Sequence, residues 1–565
     1  MKVELSFHNR YYPWTEISTD DVTCWLKGIF FYENKLLQSV DVVHLFSSAL
    51  KDSHIDHDSL KALLLALNGN FALALETPRY IFCTVDRVRS IPLFYAVDED
   101  KALFSDDANH LRDRLNPSFN EENGAEFLVT GYVTGPETLF DGISQLQAGE
   151  YLVYDKRDGA LATHFYHRFW HENFFSDSED DLLDRLDEIF VRAFQRLIES
   201  TKGRQIVVPL SGGLDSRIIV AMLKRLGVED VICFTYGRKG NREAEISRQV
   251  AEALGYRWYF VEYTNEKWYE CAHMDIMRAY YSYAGNLLSV PVFTNFLAIK
   301  ELKEKGVIPE NAVFVPGHTG DMISGGHIPG DYILSGIYTF EKFLEDNLKK
   351  HYALWRWSAD ELGPLFKDRI RKSMGEISVH NNESCANAIE LFDFDERQAK
   401  FIVNSDRVYE FLGYQWRMPL WDTELVDFFL RVPLTLRVGQ RLCIQYVTNV
   451  LFQGAFDDLQ FLDCTTSLHA ARTFSVNPLK NQLTKFPYLM NIGRNVLRRV
   501  YELKQIHTAY DGHPLSMYGI IPRDDFSRMF SGKENFHSFV ALIYLANVCR
   551  LPVNTVFKEY IMKSF

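Results

Sequence analysis

The sequence predicts a fold in two parts: an α+β layered sandwich, followed by an α/β domain that contains a parallel sheet and ends in a helical C-terminal extension. Short runs typical of strands, with a few helical patterns between them, occur through about the first 170 residues. Strand and helix patterns then alternate up to about residue 330, which is typical of a parallel sheet covered by helices. The rest of the chain has mainly helical periodicity.

Composition and charge limit the classes of function. The chain has 565 residues, of which 47% are hydrophobic and 24% charged, as in a globular protein with two or more domains. The net charge of −14 argues against a general binder of nucleic acid or anionic membranes, so we predict no nucleic-acid partner. The sequence contains no apolar run long enough to span a membrane and does not begin like a signal peptide. We therefore expect a cytoplasmic protein without an integral membrane segment.

The eight cysteines are scattered along the chain, without a CxxC pair or a regular spacing. This distribution is typical of reduced thiols. It argues against a disulfide framework and against a zinc site.

The strands of the sandwich come from the first part of the chain. Residue patterns predict three strands and two helices there, over residues 80–85, 93–97, 150–154, 60–67 and 124–129. The polar and acidic segment 171–181 then predicts a domain boundary. We accordingly divide the chain into domains 1–172 and 173–565.

In the second part, strands and helices are predicted in alternation. The predicted helices and strands cover residues 182–198, 206–210, 217–226, 231–236, 243–254, 258–261, 293–302 and 312–315, and helical periodicity returns over 396–413. Ligands of such sheets bind beyond the carboxyl ends of the strands. The loops that follow residues 210, 236 and 315 are therefore expected to form one site.

The loop Ser211-Gly212-Gly213-Leu214-Asp215-Ser216 joins a buried strand to a helix, and its chemistry suits an anion. Two glycines let the backbone approach a ligand closely. The serines and the backbone N–H groups lie at a helix N-terminus, where the dipole favours negative charge. Asp215 adds a carboxylate that suits magnesium bound to phosphates. The Gly-Lys-Ser/Thr ending of the common phosphate loop is absent, and a plain Gly-Ser turn is the alternative interpretation.

This loop resembles the pyrophosphate loop of the asparagine synthetase family, which includes asparagine synthetase, β-lactam synthetase and lasso-peptide cyclases. The string 317–327 is similar to the same family's pattern of a Gly-rich turn, Asp-Glu and Gly-Gly-Tyr, with Asp321 at the aspartate and Met322 at the glutamate. The resemblance implies ATP and Mg²⁺ as cofactors and Asp215 and Asp321 as metal ligands. It also implies the nucleotide-binding residues Leu210, Ser211, Gly212, Gly213, Asp215, Ser216, Phe234, Thr235, Gly317 and Gly320. A plain Gly-rich loop is the alternative for 317–327.

The first domain resembles the glutaminase domain of that family. The resemblance rests on three strings in order: 68–72, 86–87 with 92–95, and 138–143 with 149–150. It implies an Ntn-type glutaminase-like sandwich for the first domain and an adenine-nucleotide hydrolase-like fold for the second.

One departure from the family concerns glutamine hydrolysis. In the family's glutaminase domain the second residue is a cysteine that acts as the nucleophile, whereas this chain has Lys2. The nearest cysteine, Cys24, lies in an apolar run and is predicted to be a small core residue. We therefore predict a degenerate amidotransferase-like domain that serves as a scaffold and does not hydrolyse glutamine.

Other departures concern the catalytic side chains. His318 stands where asparagine synthetase has a glutamate and β-lactam synthetase a tyrosine, so it is either a base for an incoming amine or a hydrogen-bonding loop residue. Gln415 replaces the glutamate that precedes the family arginine, Arg417 here, which argues against β-lactam closure. Ala471 stands at the family lysine, and Arg472 is the candidate to replace it, with Lys480 and Lys485 as alternatives. The candidate catalytic residues are Asp215, Asp321, His318 and Arg472.

The resemblance implies an AMP-forming carbon–nitrogen ligase. A substrate carboxylate attacks the α-phosphate of ATP and releases pyrophosphate, and ammonia or an amine then attacks the acyl-adenylate to give an amide. The carboxylate belongs to a small molecule or a conjugate, and the ammonia comes from solution or from a partner. Two alternatives stay open: a peptide or natural-product cyclase of the lasso-cyclase type, and a non-catalytic binding protein derived from a ligase. The identity of the acid and the oligomeric state, a homodimer included, also stay open.

Overall fold

The computed structural model describes residues 2–8, 11–19, 21–51, 54–98, 101–330, 339–453, 504–532 and 534–550. Two β-sheets lie face to face in the N-terminal part. The strands of this part are β1 Lys2–Ser6, β2 Thr15–Ser18, β3 Thr23–Gly28, β4 Phe31–Tyr32, β5 Lys35–Leu36, β6 Leu50–Lys51, β7 His54–Ile55, β8 Leu67–Asn68, β9 Phe71–Glu76, β10 Tyr80–Val85, β11 Phe94–Val97, β12 Lys101–Ser105, β13 Ser144–Gln145, β14 Glu150–Asp155 and β15 Leu161–Phe165. The helices of this part are Ser39–Ala49, His57–Ala66, Ala108–Leu115 and Glu121–Thr130.

The larger sheet has the order β15-β14-β10-β9-β3-β2, and the smaller one has the order β1-β12-β11-β13. Every pair in the larger sheet is antiparallel, whereas β1 and β12 of the smaller sheet are parallel. The strands predicted at 80–85, 93–97 and 150–154 are β10, β11 and β14, so these predictions are confirmed.

Alternation of side chains along β10 explains why both faces of the larger sheet are covered. Phe82 packs on Phe46 of the helix Ser39–Ala49, with ring centroids 5.6 Å apart. The neighbouring Cys83 belongs to the core cluster between the two sheets. Cys24 of β3 has no exposed surface, as its apolar context predicts.

The C-terminal part is built on a parallel sheet with the order β18-β17-β16-β19-β20. Each neighbouring pair in this sheet is parallel. The strands are β16 Ile206–Pro209, β17 Val231–Gly237, β18 Arg257–Glu262, β19 Val313–Phe314 and β20 Gln415–Trp416. Their apolar side chains are buried, as expected for a sheet with helices on its faces.

Helices account for most of the remaining described chain. The α-helices are Glu179–Thr201, Leu214–Arg225, Arg242–Ala253, Asn265–Ala272, Asp275–Gly285, Phe296–Glu304, Gly320–Ile323, Phe340–His351, Ala359–Met374, Asn382–Phe392, Arg407–Phe411, Thr423–Phe429, Leu434–Arg437, Arg441–Tyr446, Arg523–Met529 and Phe536–Asn547. The π-helices are Asp393–Ile402, Val447–Leu451 and His507–Asp511, and the 3₁₀-helices are Val403–Asp406, Pro419–Trp421, Val438–Gln440 and Met517–Ile520.

Two sequence predictions differ from the structure. The helix predicted at 293–302 begins later, at Phe296. The segment predicted as one helix at 396–413 is a π-helix, a 3₁₀-helix and a short α-helix in succession, ending at Phe411. Periodicity near 3.6 residues does not distinguish these helix types over a few turns.

Buried polar contacts join the two parts of the chain. Lys27 of β3 lies 3.6 Å from Glu410 of the helix Arg407–Phe411, and both side chains are buried. The Asn68 amide of β8 donates to Asp422, 3.0 Å away. Within the described residues, no helix combines the length and the apolar character needed to cross a membrane.

Candidate active site

A cavity of about 540 Å³ opens beyond the carboxyl ends of β16, β17 and β19. This is the edge where ligands of parallel sheets bind, and the volume is in the range of small-molecule sites. The cavity is lined by Pro209, Ser211, Gly213, Leu214, Asp215, Ser216, Tyr236, Val292, Thr294, Asn295, Pro316, Gly317, His318, Asp321, Arg397, Phe401, Ile402, Ser405, Val408, Tyr409, Gln440 and His537.

The loop after β16 forms the floor of this cavity and begins the helix Leu214–Arg225. Its conformation is held by its own serines: the backbone N–H of Ser211 donates to Oγ of Ser216, and the N–H of Gly213 donates to Oγ of Ser211, each at 3.1 Å. Gly213 is the N-cap and provides no side-chain cap. The N-terminus of this helix is therefore available to an anion in the cavity.

The second loop, which follows β19, packs closely on the first. A Cβ atom on Gly317 would lie 2.9 Å from the backbone nitrogen of Ser216, and a Cβ on Gly320 would lie 2.8 Å from Oδ1 of Asp215. The backbone contact therefore requires glycine at 317, and a side chain at 320 would displace the Asp215 carboxylate. This approach lets the backbone N–H of Asp321 donate to Oδ2 of Asp215 at 3.3 Å.

The two carboxylates at this contact suit a divalent cation. Burial raises the pKa of Asp215 to about 7, and the negative charge of Asp321 adds to the shift. Thr319, between the glycines, has a positive φ of 62° and a buried hydroxyl without a hydrogen-bond partner in the described structure. Two converging hard oxygen ligands fit magnesium, which prefers oxygen and would take its other ligands from water and phosphate.

A histidine holds Asp321 in place. His327 lies between two carboxylates, with Nε2 3.2 Å from Asp321 and Nδ1 2.8 Å from Asp393. Burial acts to lower the pKa of His327, but the two carboxylates outweigh it and raise the pKa to about 9. Lys350 donates to the same Asp393 oxygen at 2.8 Å. Charged contacts on both sides of His327 therefore fix the direction of the Asp321 side chain.

His318 lines the cavity beside a buried carboxylate. Its Nε2 is 2.9 Å from Asp406 and 3.0 Å from Oγ of Ser405. Burial acts to lower the pKa of His318, but Asp406 outweighs it and the net pKa is raised. An imidazole oriented by a carboxylate is the arrangement found at general bases.

Polar and aromatic side chains form another side of the cavity. The Tyr236 hydroxyl at the end of β17 donates to Asn295, and the Asn295 amide donates to the Tyr409 hydroxyl at 2.8 Å. The predicted nucleotide contacts Phe234 and Thr235 do not line this cavity with their side chains. Phe234 packs on Phe314 in the core, and the Thr235 hydroxyl donates to the carbonyl of Leu210.

The structure brings most of the sequence-predicted site residues together around one cavity. Ser211, Gly213, Asp215, Ser216, Gly317, His318 and Asp321 line it. Gly320 contacts Asp215 from behind, and Gly212 faces Glu243 and Ile246. Gln415 lies elsewhere, on β20, where its side-chain oxygen accepts from Arg204 at 2.9 Å and from Arg417 at 3.1 Å. Arg472, Ala471, Lys480 and Lys485 lie outside the described residues.

Sequence reasoning missed several residues of this site. Their roles depend on contacts between distant parts of the chain, and they are His327, Asp393, Asp406, Asn295, Tyr409 and Arg397. His327 alone carried a local signal, because it ends the Gly-Gly-His string where the family has tyrosine.

Comparisons with known proteins match both parts of the chain. A family model described as Asparagine synthase matches residues 185–443, and one described as Glutamine amidotransferase domain matches residues 57–170. A probable glutamine-hydrolysing asparagine synthetase of Acanthamoeba polyphaga mimivirus is 25% identical over 254 residues, which is 45% of this chain and 36% of that protein. A 7-cyano-7-deazaguanine synthase of Sulfolobus acidocaldarius is 31% identical over 153 residues, which is 25% of this chain and 31% of that protein.

The chain spans about a third of the length of these curated relatives. Among solved structures, the glutamine phosphoribosylpyrophosphate amidotransferase of B. subtilis covers 47% of this chain and 76% of its own, at 13% identity and a TM-score of 0.19. A score this low adds no argument about the fold.

Proposed function

The chain belongs to the asparagine synthetase family, and from this premise we propose that it is an ATP-dependent carbon–nitrogen ligase. It adenylates a substrate carboxylate, releases pyrophosphate, and joins ammonia or an amine to the activated acyl group. The observation that carries this proposal is the contact of the loop 211–216 with Asp321, which places two carboxylates beside a free helix N-terminus in one cavity.

In the proposed reaction, the pyrophosphate of ATP lies on the loop 211–216. The backbone N–H groups and the hydroxyls of this loop bind negative charge that increases as pyrophosphate leaves. Asp215 and Asp321 would hold magnesium, which when bound neutralises phosphate charge. Tyr236 and Asn295, at the end of β17, are the candidates for the base and ribose side of the cavity. His327 is a positioning residue, since it acts through Asp321.

The second half-reaction needs a proton acceptor. The attacking amine forms a bond to the acyl carbon, AMP leaves with the electron pair of the broken C–O bond, and one proton must leave the nitrogen. His318, oriented by Asp406, is the candidate to take that proton.

We propose that the nitrogen does not come from glutamine hydrolysed by this chain. The described N-terminal part has two cysteines, Cys24 and Cys83, and both are buried in strands. Burial raises the pKa of Cys24 to about 12, so its thiolate is not formed near neutral pH. In this proposal, residues 1–172 form a degenerate amidotransferase-like domain and residues 173–565 the synthetase domain.

The exchange of ³²P-pyrophosphate into ATP, measured with a panel of carboxylates, tests the proposal. We expect exchange that depends on one acid, and at least a 100-fold loss in Asp215→Ala. Asp230→Ala, which removes an exposed carboxylate at the opposite end of β17, is the matched control and should exchange as the unmodified protein does. Unchanged exchange in Asp215→Ala would show that the site is assigned wrongly. Nucleotide binding without exchange for any acid would favour a non-catalytic binding protein, and an acid that carries its own amine would favour the cyclase alternative.

A further inference from the structure

One patch of the cavity is left unassigned by the proposed reaction. The loops 211–216 and 316–321 face the phosphates, and Tyr236, Asn295 and Tyr409 form the polar and aromatic side. The remaining lining residues include Arg397, Phe401 and His537, and the Phe401 and His537 rings lie 4.9 Å apart. We call these three residues the Arg397 patch.

The Arg397 guanidinium has one long ion contact in the described structure. Its Nη1 lies 3.9 Å from Oδ1 of Asp393, which is too long for a hydrogen bond. The other oxygen of Asp393, Oδ2, is bound by His327 and Lys350, each at 2.8 Å. The Arg397 side chain is 37% exposed, and it faces the cavity. An arginine with its donors unused in a concave site is suited to bind an anion.

The π-helix Asp393–Ile402 positions Arg397 at the cavity. On one side of the helix, Lys400 donates to the carbonyls of Val133 and Gly135 at 3.1 and 2.7 Å, and Glu396 accepts from the backbone N–H of Gly135. Arg397 and Phe401 each follow one of these anchors by one residue, so they share an adjacent face and line the cavity.

The other charged groups of the described cavity lining are engaged or neutral. Its carboxylates, Asp215 and Asp321, are assigned to the proposed metal site, and His318 is paired with Asp406. Burial lowers the pKa of His537 to about 3, with a contribution from the Arg397 charge, so the imidazole is neutral near pH 7. Among the described lining residues, Arg397 is therefore the cation whose carboxylate contact is longer than a hydrogen bond, and neither lining carboxylate remains to receive a substrate ammonium group.

We propose that Arg397 binds the carboxylate of the acid that is adenylated, and that this acid carries one carboxylate on an uncharged body packed against Phe401. This inference rests on the proposed function, because it assigns the acid half of the same cavity. An acid such as aspartate brings a second carboxylate and an ammonium group. The second carboxylate and the ammonium group would lose water on entering the cavity and would find no oppositely charged partner in the described lining, which is unfavourable.

The experiment measures binding of the nucleotide and binding of the acid separately. Binding is measured by isothermal titration with Mg²⁺ and α,β-methylene-ATP, which cannot transfer its AMP group, and then with benzoate, phenylacetate, hexanoate and aspartate at millimolar concentrations. We expect one of the three monocarboxylates to bind, and aspartate to bind more weakly than that acid. Arg397→Met should weaken monocarboxylate binding about 10- to 100-fold, the range for hydrogen bonds to a charged group. Nucleotide binding should change less than about threefold, since hydrogen bonds to the phosphates are assigned to other residues.

Two further variants serve as controls for Arg397→Met. Arg397→Lys keeps the charge without the planar pair of donors and should lie between the other two proteins. Arg278→Met removes an exposed arginine outside the cavity and should change neither affinity. Equal acid binding by Arg397→Met and the unmodified protein, stronger binding of aspartate, or nucleotide binding without binding of any of these acids would overturn the inference. Failure to bind the nucleotide would instead contradict the proposed function.

Discussion

At the scale of single residues, a few short-range contacts decide what this cavity can do. The glycines at 317 and 320 let one loop touch the other, and Asp215 gains its raised pKa from burial and from Asp321. His318 and His327 are buried to a similar extent but have different proposed roles. His318 faces the cavity beside Asp406 and is available to a substrate, whereas both nitrogens of His327 contact carboxylates.

The positioning role of His327 makes a prediction at this scale. His327→Gln removes the positive charge between Asp321 and Asp393, so Asp321 loses its fixed direction. We expect pyrophosphate exchange to fall about 10- to 100-fold, as is typical of losses in the outer shell of a metal site. The half-saturating Mg²⁺ concentration should rise by a similar factor, which a titration of exchange against Mg²⁺ measures. A lower rate with unchanged Mg²⁺ dependence would contradict this role. His507→Gln is a control, because that histidine lies exposed on the surface.

At the scale of the elements, the π-helix Asp393–Ile402 connects the two parts of the chain. Asp395 contacts Arg168 at 2.8 Å, and Lys400 binds carbonyls of the segment 133–135. The adjacent face carries Arg397 and Phe401, which line the cavity. The N-terminal part thus has a structural task, which is to hold one wall of the cavity, whether or not it performs chemistry of its own.

Breaking the anchor of this helix should lower stability. Lys400 and Glu396 form a fully buried ion pair, and burial lowers the pKa of Lys400 and raises that of Glu396. Lys400→Met leaves Glu396 without its cation, so we expect a loss of about 3–5 kcal/mol in unfolding free energy. Chemical denaturation of the variant measures the loss.

The double variant Glu396→Gln, Lys400→Met provides the matching control. It removes both charges and should recover part of the stability, because no unpaired charge then remains buried. A double variant less stable than Lys400→Met would show that the pair contributes more than the cost of an unpaired charge.

At the scale of the whole molecule, the fold buries many ionisable groups, and this sets the dependence of stability on pH. Burial lowers the pKa of His351 to about 3, of His513 to about 4 and of His537 to about 3. The folded protein keeps these rings neutral, whereas the unfolded chain protonates them below a pKa of about 6.5. At these three sites the unfolded state binds more protons, so their contribution to stability falls as the pH decreases below 6.5 toward 4. The raised pKa of Asp215 acts in the opposite direction and offsets part of this loss, and the raised pKa of His327 does so mainly above pH 6.5.

We predict a lower melting temperature at pH 5 than at pH 7. For the buried His351, the difference between folded and unfolded pKa corresponds to about 2 kcal/mol at pH 5. His351→Leu removes this titration and should reduce the slope of stability between pH 7 and pH 5, measured by thermal unfolding across that range. An unchanged slope would contradict the contribution of His351. His273→Leu, at an exposed histidine, is the control and should leave the slope as it is.

The sequence by itself determined the strand–loop–helix unit at 206–225 and the second small-residue loop, because the glycines, serines and aspartates that make these loops work are contiguous in the chain. It also indicated the family, which the comparisons confirm. Local apolar patterns further predicted β10, β11, β14 and the parallel strands β16 to β19, whereas β20 was not predicted.

Only the tertiary structure decided how these loops are completed. His327 meets Asp393 across 66 residues, and His318 meets Ser405 across 87. The direction of Arg397 depends on a π-helical register that a sequence pattern does not distinguish from an α-helix. The physical reason is common to all three. The residues of a loop indicate which ligand the loop can bind. The side chains that orient those residues come from elements far away in the chain, and a local sequence pattern does not show which distant elements pack together.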